Sequence, residues 1–303
     1  MNGRGPRGLS ARVKTLVRAA YRRMPGKQRL FERVRASWSP PESVYRHLHF
    51  EGIIDVPVPD GAAFRMRHYG YQVENSVFWA GLTGEWERVS LGLWLELSRE
   101  ASMILDVGAN TGVYGLAAKA QNPSARVVAV EPVRRVFDKL VTNVKLNGFD
   151  IQCLDVAASD ADGLATIFDT DSEHTYSVTV NRNVNAPGVV TIPTEVRTAR
   201  IESLAREHSW PRIDLMKVDV ETHEVEVLRG MGGLLAKDRP TMLIEVLDDE
   251  VGRGIESAVE GLGYVYFNVD ERSTARRVAH IGRSDYYNFL LCTPERAARL
   301  RLL

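Results

Sequence analysis

The segment Ile213-Asp214-Leu215-Met216-Lys217-Val218-Asp219-Val220-Glu221-Thr222-His223-Glu224 places three ionisable side chains, Asp219, Glu221 and His223, where an apolar strand gives way to a helix. Groups of these types at a strand end can take up, hold or pass on a proton. Lys217 shares a strand face with Asp219, because side-chain direction alternates with a period of two. A lysine in an otherwise apolar strand needs a partner, and Asp219 is the candidate. The bland alternative is structural, an ion pair followed by carboxylates that cap the helix.

A second constellation lies upstream. Leu105-Asp106-Val107-Gly108-Ala109-Asn110-Thr111-Gly112 reads as a buried strand, a tight turn and a helix start. Gly108 and Gly112 are expected to let the backbone approach a ligand with no Cβ in the way. Their spacing is not the Gly-x-Gly-x-x-Gly that cradles a pyrophosphate. Asp106 at the strand end would repel a phosphate but suits an ammonium group. Val127-Val128-Ala129-Val130-Glu131-Pro132 follows, with Glu131 placed 19 residues beyond Gly112. In doubly wound folds an acidic residue about 20 residues on accepts hydrogen bonds from ribose hydroxyls. The two motifs together describe a nucleoside that carries an amine and no phosphate. The bland reading of the first is a generic strand-to-helix turn.

These residues need strands and helices to hold them. From Ser102 onward short β-branched runs alternate with helical stretches. Strands are expected at 102–107, 126–131, 151–157, 213–220, 241–247, 264–268 and 286–292, and helices at 112–121 and 133–147. That alternation predicts an α/β fold, a doubly wound and mainly parallel seven-stranded sheet covered on both faces. Right-handed crossovers bring the strand C-terminal ends to one edge, where ligands bind. Residues 160–200 break the rhythm and read as a β-rich insertion at that edge. Upstream, 53–58 and 63–68 form a hairpin around Pro59-Asp60-Gly61, followed by an aromatic helical stretch with Tyr69, Tyr71, Phe78, Trp79, Trp86 and Trp94. Most of these rings are expected in the core, and one or two in a pocket. The organisation expected is a basic amphipathic arm (1–40), a helical and hairpin N-terminal cap (41–98) and a nucleoside-binding domain (99–303).

The net charge of the 303 residues is zero, yet the first 50 hold twelve Lys or Arg and only two Glu. Such an arm faces an anionic partner or is simply a solvated helix. Contact of residues 1–36 with an anionic membrane surface is the functional version of that reading. Cys153 and Cys292 are the only cysteines, which excludes a disulfide framework and points to a reducing compartment. No apolar run approaches the roughly 18–20 residues needed to span a bilayer, and no secretory signal stands out. The expected location is cytoplasmic, with peripheral membrane contact as an option.

Taken together, the motifs resemble the FkbM family of S-adenosylmethionine-dependent methyltransferases over roughly residues 100–292. Asp106–Gly112 looks like the family's cofactor loop, with Asp106, Gly108, Asn110 and Gly112 as binding positions. Glu131-Pro132 looks like its acidic ribose motif, and Leu140–Asn147, with Asn143 and Asn147, like the helix that follows. Asp155–Asp160 resembles the segment that borders the adenine. Ile213–Glu224 with Val227-Leu228-Arg229-Gly230 matches the Lys-x-Asp-Val-Glu-Gly-x-Glu block, and Arg239-Pro240 to Glu245 and Asn288-Phe289 match the closing strands. The chain departs at Thr222, where the family usually has Gly. The resemblance implies a class I, Rossmann-like methyltransferase that binds S-adenosylmethionine. It implies O-methylation of a small-molecule or glycan hydroxyl, on a sugar or a polyketide-type product, and no nucleic acid partner.

Transfer from a sulfonium is an in-line displacement, helped by alignment and by a base that takes the acceptor's proton. The candidates are His223, Asp219, Glu221 and Glu245. His223 has the reference pKa nearest neutrality. The helix N-terminus is expected to lower the carboxylate pKa values, which favours His223 as base and the carboxylates as orienting groups. Asp219, Glu221 and Glu245 could also supply oxygens to Mg²⁺, but carboxylate clusters without a metal are as common. Two other classes compete, a nicotinamide-dependent oxidoreductase on a similar fold and a non-enzymatic nucleoside-binding protein.

Overall fold

The computed structural model describes residues 21, 24–170 and 191–303. Most of the expected arm (1–20 and 22–23) and half of the expected insertion (171–190) lie outside the described residues. What is described of the arm packs on the body. Helix α1 (Lys27–Ser37) buries Phe31 against Phe50 and Trp79, with ring centroids 6.0 and 5.4 Å away, and Gln28 donates to the Ile53 carbonyl at 2.7 Å. Helix α2 (Glu42–Tyr45) and the hairpin β1 (Gly52–Pro57) and β2 (Ala63–His68) follow, then helices α3 (Gln72–Ala80) and α4 (Arg88–Ser98). Alternate residues of the hairpin are buried, Ile54 and Val56 on one strand and Phe64 and Met66 on the other, as a half-covered sheet requires.

The main sheet is built from β3 (Met103–Val107), β4 (Arg126–Val130), β5 (Ile151–Leu154), β9 (Leu215–Val218), β10 (Thr241–Glu245), β11 (Val265–Val269), β12 (Ala275–Val278) and β13 (Asn288–Cys292). The spatial order is β12-β11-β13-β10-β9-β3-β4-β5. Five neighbouring strands, β5 to β10, run parallel; β13, β11 and β12 pair antiparallel. The sheet is therefore eight-stranded and mixed, a correction to the seven mainly parallel strands expected. The extra strand, Ala-Arg-Arg-Val, has both arginines exposed, so it carries no apolar run to announce it. A small separate sheet holds β6 (Ala157–Ala158), β7 (Gly163–Thr170) and β8 (Thr191–Ala199), with β7 and β8 antiparallel.

Period-two alternation divides the strands between two cores. Ile104, Val127, Ala129, Leu215, Leu243 and Leu290 face α3, α4, helix α5 (Val113–Gln121) and helix α6 (Arg134–Asn147). Leu105, Val107, Val128, Met216, Val218 and Ile244 face helices α7 (Ile201–Glu207), α8 (Glu224–Gly230), α9 (Gly233–Asp238) and α10 (Asp249–Ala258). The chain closes with α11 (Pro294–Arg299). Ends are set by local chemistry: Asp248 accepts from Val251 N, Thr293 accepts from Arg296 N ahead of Pro294, and Gly148 at φ 60° ends α6. Among the described residues no helix is long and apolar enough to cross a membrane.

The N-terminal unit is pinned to the sheet domain beside the loop that follows β3. Asn143 of α6 accepts from Arg67 N and donates to the Thr111 carbonyl, both at 2.8 Å. One turn on, Asn147 accepts from Arg65 N at 2.6 Å and donates to the Arg65 carbonyl at 2.7 Å. Two amides at i and i+4 thus satisfy backbone groups that β2 would otherwise leave open at its edge.

Candidate active site

One cavity lies at the C-terminal edge of the parallel strands, lined by residues from the loop after β3, the ends of β4, β9 and β10, and the N-terminal unit. The loop after β3 is held from below. Gly108 and Ala109 both donate to the Val130 carbonyl at 3.0 Å. Gly108 has φ 82°, and a Cβ there would stand 1.8 Å from the Asp219 carbonyl oxygen; Gly112 has φ 96°, and a Cβ would stand 2.6 Å from Leu140 Cδ1. Backbone excludes a side chain at Gly108, and the left-handed φ favours glycine at both positions. Gly108 lines the cavity; Gly112 starts α5 behind it.

Asp106 is 1% exposed and its Oδ2 accepts from Gly115 N at 2.8 Å. Burial pushes its carboxyl up to about 7, against that backbone donor and the Lys217 charge. Glu131 accepts from Asn110 N at 3.0 Å and Val133 N at 2.9 Å, and burial raises it to about 7 as well. Each carboxylate oxygen can accept more than one hydrogen bond, so both groups keep capacity for a ligand. Pro132 and Asn110 also line the cavity. The side chain of Asp155 does not: it pairs with Arg134 at 3.1 Å, and Val156, Ala157 and Ala158 form the wall there.

The end of the cavity beside β9 and β10 is crowded with carboxyls. Lys217 donates to Asp219 Oδ2 at 2.9 Å and to Asn288 Oδ1 at 3.3 Å. Burial alone would lower the Lys217 ammonium, but the carboxylates of Asp219, Glu87 and Glu245 hold it above its ordinary range. Asp219, Glu221 and Glu245 offer oxygens that all lie within 4.8 Å of one another. Burial, then the charges of Asp219 and Glu224, raise Glu221 to about 8; burial and Asp219 raise Glu245 to about 10. The helix N-terminus was expected to lower these groups. Desolvation wins, because three carboxyls share one enclosed site and α8 is only seven residues long.

The turn itself is strained. Glu221 at φ 53° and Thr222 at φ 75° are successive left-handed residues without being glycine, each costing about 1–3 kcal/mol. Glu224 holds them, its Oε1 accepting from Val220 N and Thr222 N at 3.2 Å. His223 sits next to them with Nε2 3.0 Å from Ser159 Oγ and Nδ1 3.5 Å from Glu226. Burial lowers its pKa despite Glu226 and Asp160. His223, Asp219, Glu221 and Glu245 all line the same cavity as Asp106 and Glu131.

The N-terminal unit adds Tyr71, Val73, Glu74, Trp86 and Glu87 to the lining, and α5 adds Tyr114. None was singled out from sequence as a site residue beyond the aromatic stretch. The Tyr114 hydroxyl donates to Glu87, its backbone carbonyl accepts from Trp94 Nε1 at 3.0 Å, and the Lys217 ammonium lies 5.2 Å from the Tyr114 ring centroid. Glutamates inside an apolar aromatic stretch were the one available signal.

A sequence model described as the methyltransferase FkbM domain matches residues 106–266, just over half of the 303 residues. Hexuronic acid methyltransferase AglP of Haloferax volcanii is 29% identical over 150 residues, covering 49% of this chain and 58% of that protein. Methyltransferase sdnD of Sordaria araneosa is 28% identical over 156 residues, covering 42% and 60%. The chain spans at most about 60% of the length of the curated relatives it matches. Among solved structures, a SAM-dependent methyltransferase from Agrobacterium tumefaciens superposes with a TM-score of 0.42 at 12% identity, covering 81% of this chain and 71% of that one.

Proposed function

The chain belongs to the FkbM methyltransferase family, and from that premise we propose that it methylates a hydroxyl oxygen of a sugar, glycan or polyketide-type acceptor with S-adenosylmethionine as donor. The observation that carries the reading is the acidic lining of the cavity. Seven carboxyl side chains line it (Glu74, Glu87, Asp106, Glu131, Asp219, Glu221 and Glu245) against one lysine, Lys217, which is paired with Asp219. A pyrophosphate would meet an acidic lining and no Gly-x-Gly-x-x-Gly turn, which argues against a nicotinamide dinucleotide. A nucleoside with an ammonium group fits: Glu131 for the ribose, Asp106 for the amine, Val156–Ala158 for the base.

When bound, S-adenosylmethionine supplies the activated methyl group. The chain's own part is to orient the acceptor and remove its proton. His223 is the base in this reading, since burial keeps its ring neutral at pH 7. Glu221 and Glu245 hold protons there in the free protein and can donate hydrogen bonds to acceptor oxygens. The Lys217–Asp219 pair fixes the floor between them. No metal is assigned to the three carboxyls; Lys217 already pairs with Asp219, one of them. The same surplus of acid groups disfavours an anionic acceptor. A thermal-shift comparison tests the cofactor: S-adenosylmethionine should raise Tm and NAD should not. The reverse would contradict the reading.

A further inference from the structure

We propose that Glu74, which belongs to the N-terminal unit and not to the sheet domain, completes the cofactor site by accepting a hydrogen bond from a donor on S-adenosylmethionine, a ribose hydroxyl or the ammonium. The inference rests on the methyltransferase reading above.

Glu74 lies in α3 and is fully buried. Its Oε1 accepts from the Thr111 hydroxyl at 3.3 Å, while its Oε2 is buried with no hydrogen-bond partner. The side chain lines the same cavity as Asn110, Thr111 and Glu131. The backbone at Tyr71 and Glu74 and the Thr111 hydroxyl favour the ionised carboxyl, but an oxygen withdrawn from water without a hydrogen-bond partner is unfavourable. The neighbouring cation acts on Glu74 through its charge and is hydrogen-bonded elsewhere: Lys139 donates to the Tyr71 hydroxyl, and its ammonium lies 4.4 Å from the Tyr71 ring centroid and 5.1 Å from that of Tyr69.

The position is fixed from both sides. Thr111 is tied through its carbonyl to Asn143, and Asn143 is tied to β2, which precedes α3. Glu74 therefore faces the loop as part of a rigid frame. Burial raises its carboxyl to about 7, so it is poised between a neutral form that suits an empty site and an ionised form that suits an approaching ammonium. The groups on S-adenosylmethionine able to satisfy a free carboxylate oxygen here are hydrogen-bond donors, and its one anion, the amino-acid carboxylate, is excluded by charge.

Calorimetry separates the outcomes, with S-adenosylhomocysteine and 5′-methylthioadenosine as probes. The second keeps ribose and base but lacks the amino-acid end. Glu74→Gln and Glu74→Ala should each weaken S-adenosylhomocysteine at least about tenfold. Gln keeps the size of the side chain and an oxygen for Thr111, so it answers the question if the Ala variant is poorly folded. Thr111→Val removes the bridging hydroxyl but leaves the free oxygen, and should cost less than about threefold. A loss shared by 5′-methylthioadenosine assigns the ribose; a loss confined to S-adenosylhomocysteine assigns the ammonium. Unchanged affinity in Glu74→Gln, or an equal loss in Thr111→Val, overturns the proposal. A wild-type protein that binds neither nucleoside overturns the cofactor reading itself.

Discussion

The Lys217 ammonium stands 2.9 Å from the Asp219 carboxylate, and the lysine is only 1% exposed. A buried cation of this kind is tolerated only while its counter-charge stays in place. Asp219→Ala should therefore destabilise the protein by up to about 3–5 kcal/mol, with the Asn288 contact and the Glu245 carboxyl reducing the loss. Lys217→Met combined with Asp219→Asn should recover most of it, because the pair is removed together. Urea unfolding of the single and double variants checks this; equal stability of Asp219→Ala and wild type would show that the pair carries no weight.

Stability should fall as the pH rises from about 6 to about 8.5. The sign follows from the raised carboxyls. Glu221, at about 8, and Glu245, at about 10, keep their protons in the folded protein where the unfolded chain, near the ordinary 4.5, has lost them. The folded state binds more protons over that window, so its advantage is lost as pH climbs toward the folded values. Glu221→Gln should lessen the slope of the Tm profile between pH 6 and 8.5, with Glu245 and Glu224 keeping the rest. A wild-type Tm that rises over that range would contradict the assignment.

Much of this frame was legible from residues. The apolar run Met103–Val107 ends in Asp106-Val107-Gly108, and a short β-branched run closed by a tight glycine turn reads as a buried strand. Asp106, Glu131, Asp219, Glu221, His223 and Glu245 lie at the ends of successive strands, and strand-end positions converge in a parallel sheet. What escaped the sequence depends on tertiary packing. Glu74 and Glu87 reach the cavity because the Asn143 and Asn147 amides clamp the hairpin beside the loop, and no local pattern encodes that clamp. The direction of the Glu221 and Glu245 shifts escaped for the same reason: a helix start is visible in sequence, whereas the enclosure of three carboxyls is not.

Binding should respond to the two acids at the ends of β3 and β4. Asp106→Ala and Glu131→Ala should each weaken S-adenosylhomocysteine by about 1–3 kcal/mol, the range for a charge-assisted hydrogen bond. Wild-type affinity in both variants, with Tm preserved, would remove these residues from the site.

His223→Ala should lower kcat by roughly 10²–10⁴-fold while leaving S-adenosylhomocysteine affinity near that of wild type. The wild-type rate should rise with pH through an ionisation below the ordinary 6.5, since burial lowers the imidazole. If His223→Ala keeps most of its kcat, the proton passes to Glu221 or Glu245, and the rate should then rise only near pH 8 or above.

The central claim is tested most directly by following the methyl group. The protein is incubated with methyl-labelled S-adenosylmethionine and a fractionated extract or a panel of neutral glycosides and polyketide alcohols, and the products are read by mass spectrometry with fragmentation. The account predicts a label on oxygen, formed with stoichiometric S-adenosylhomocysteine and abolished by heat treatment of the protein. A label placed on nitrogen or carbon, or methylation confined to anionic acceptors, would contradict it.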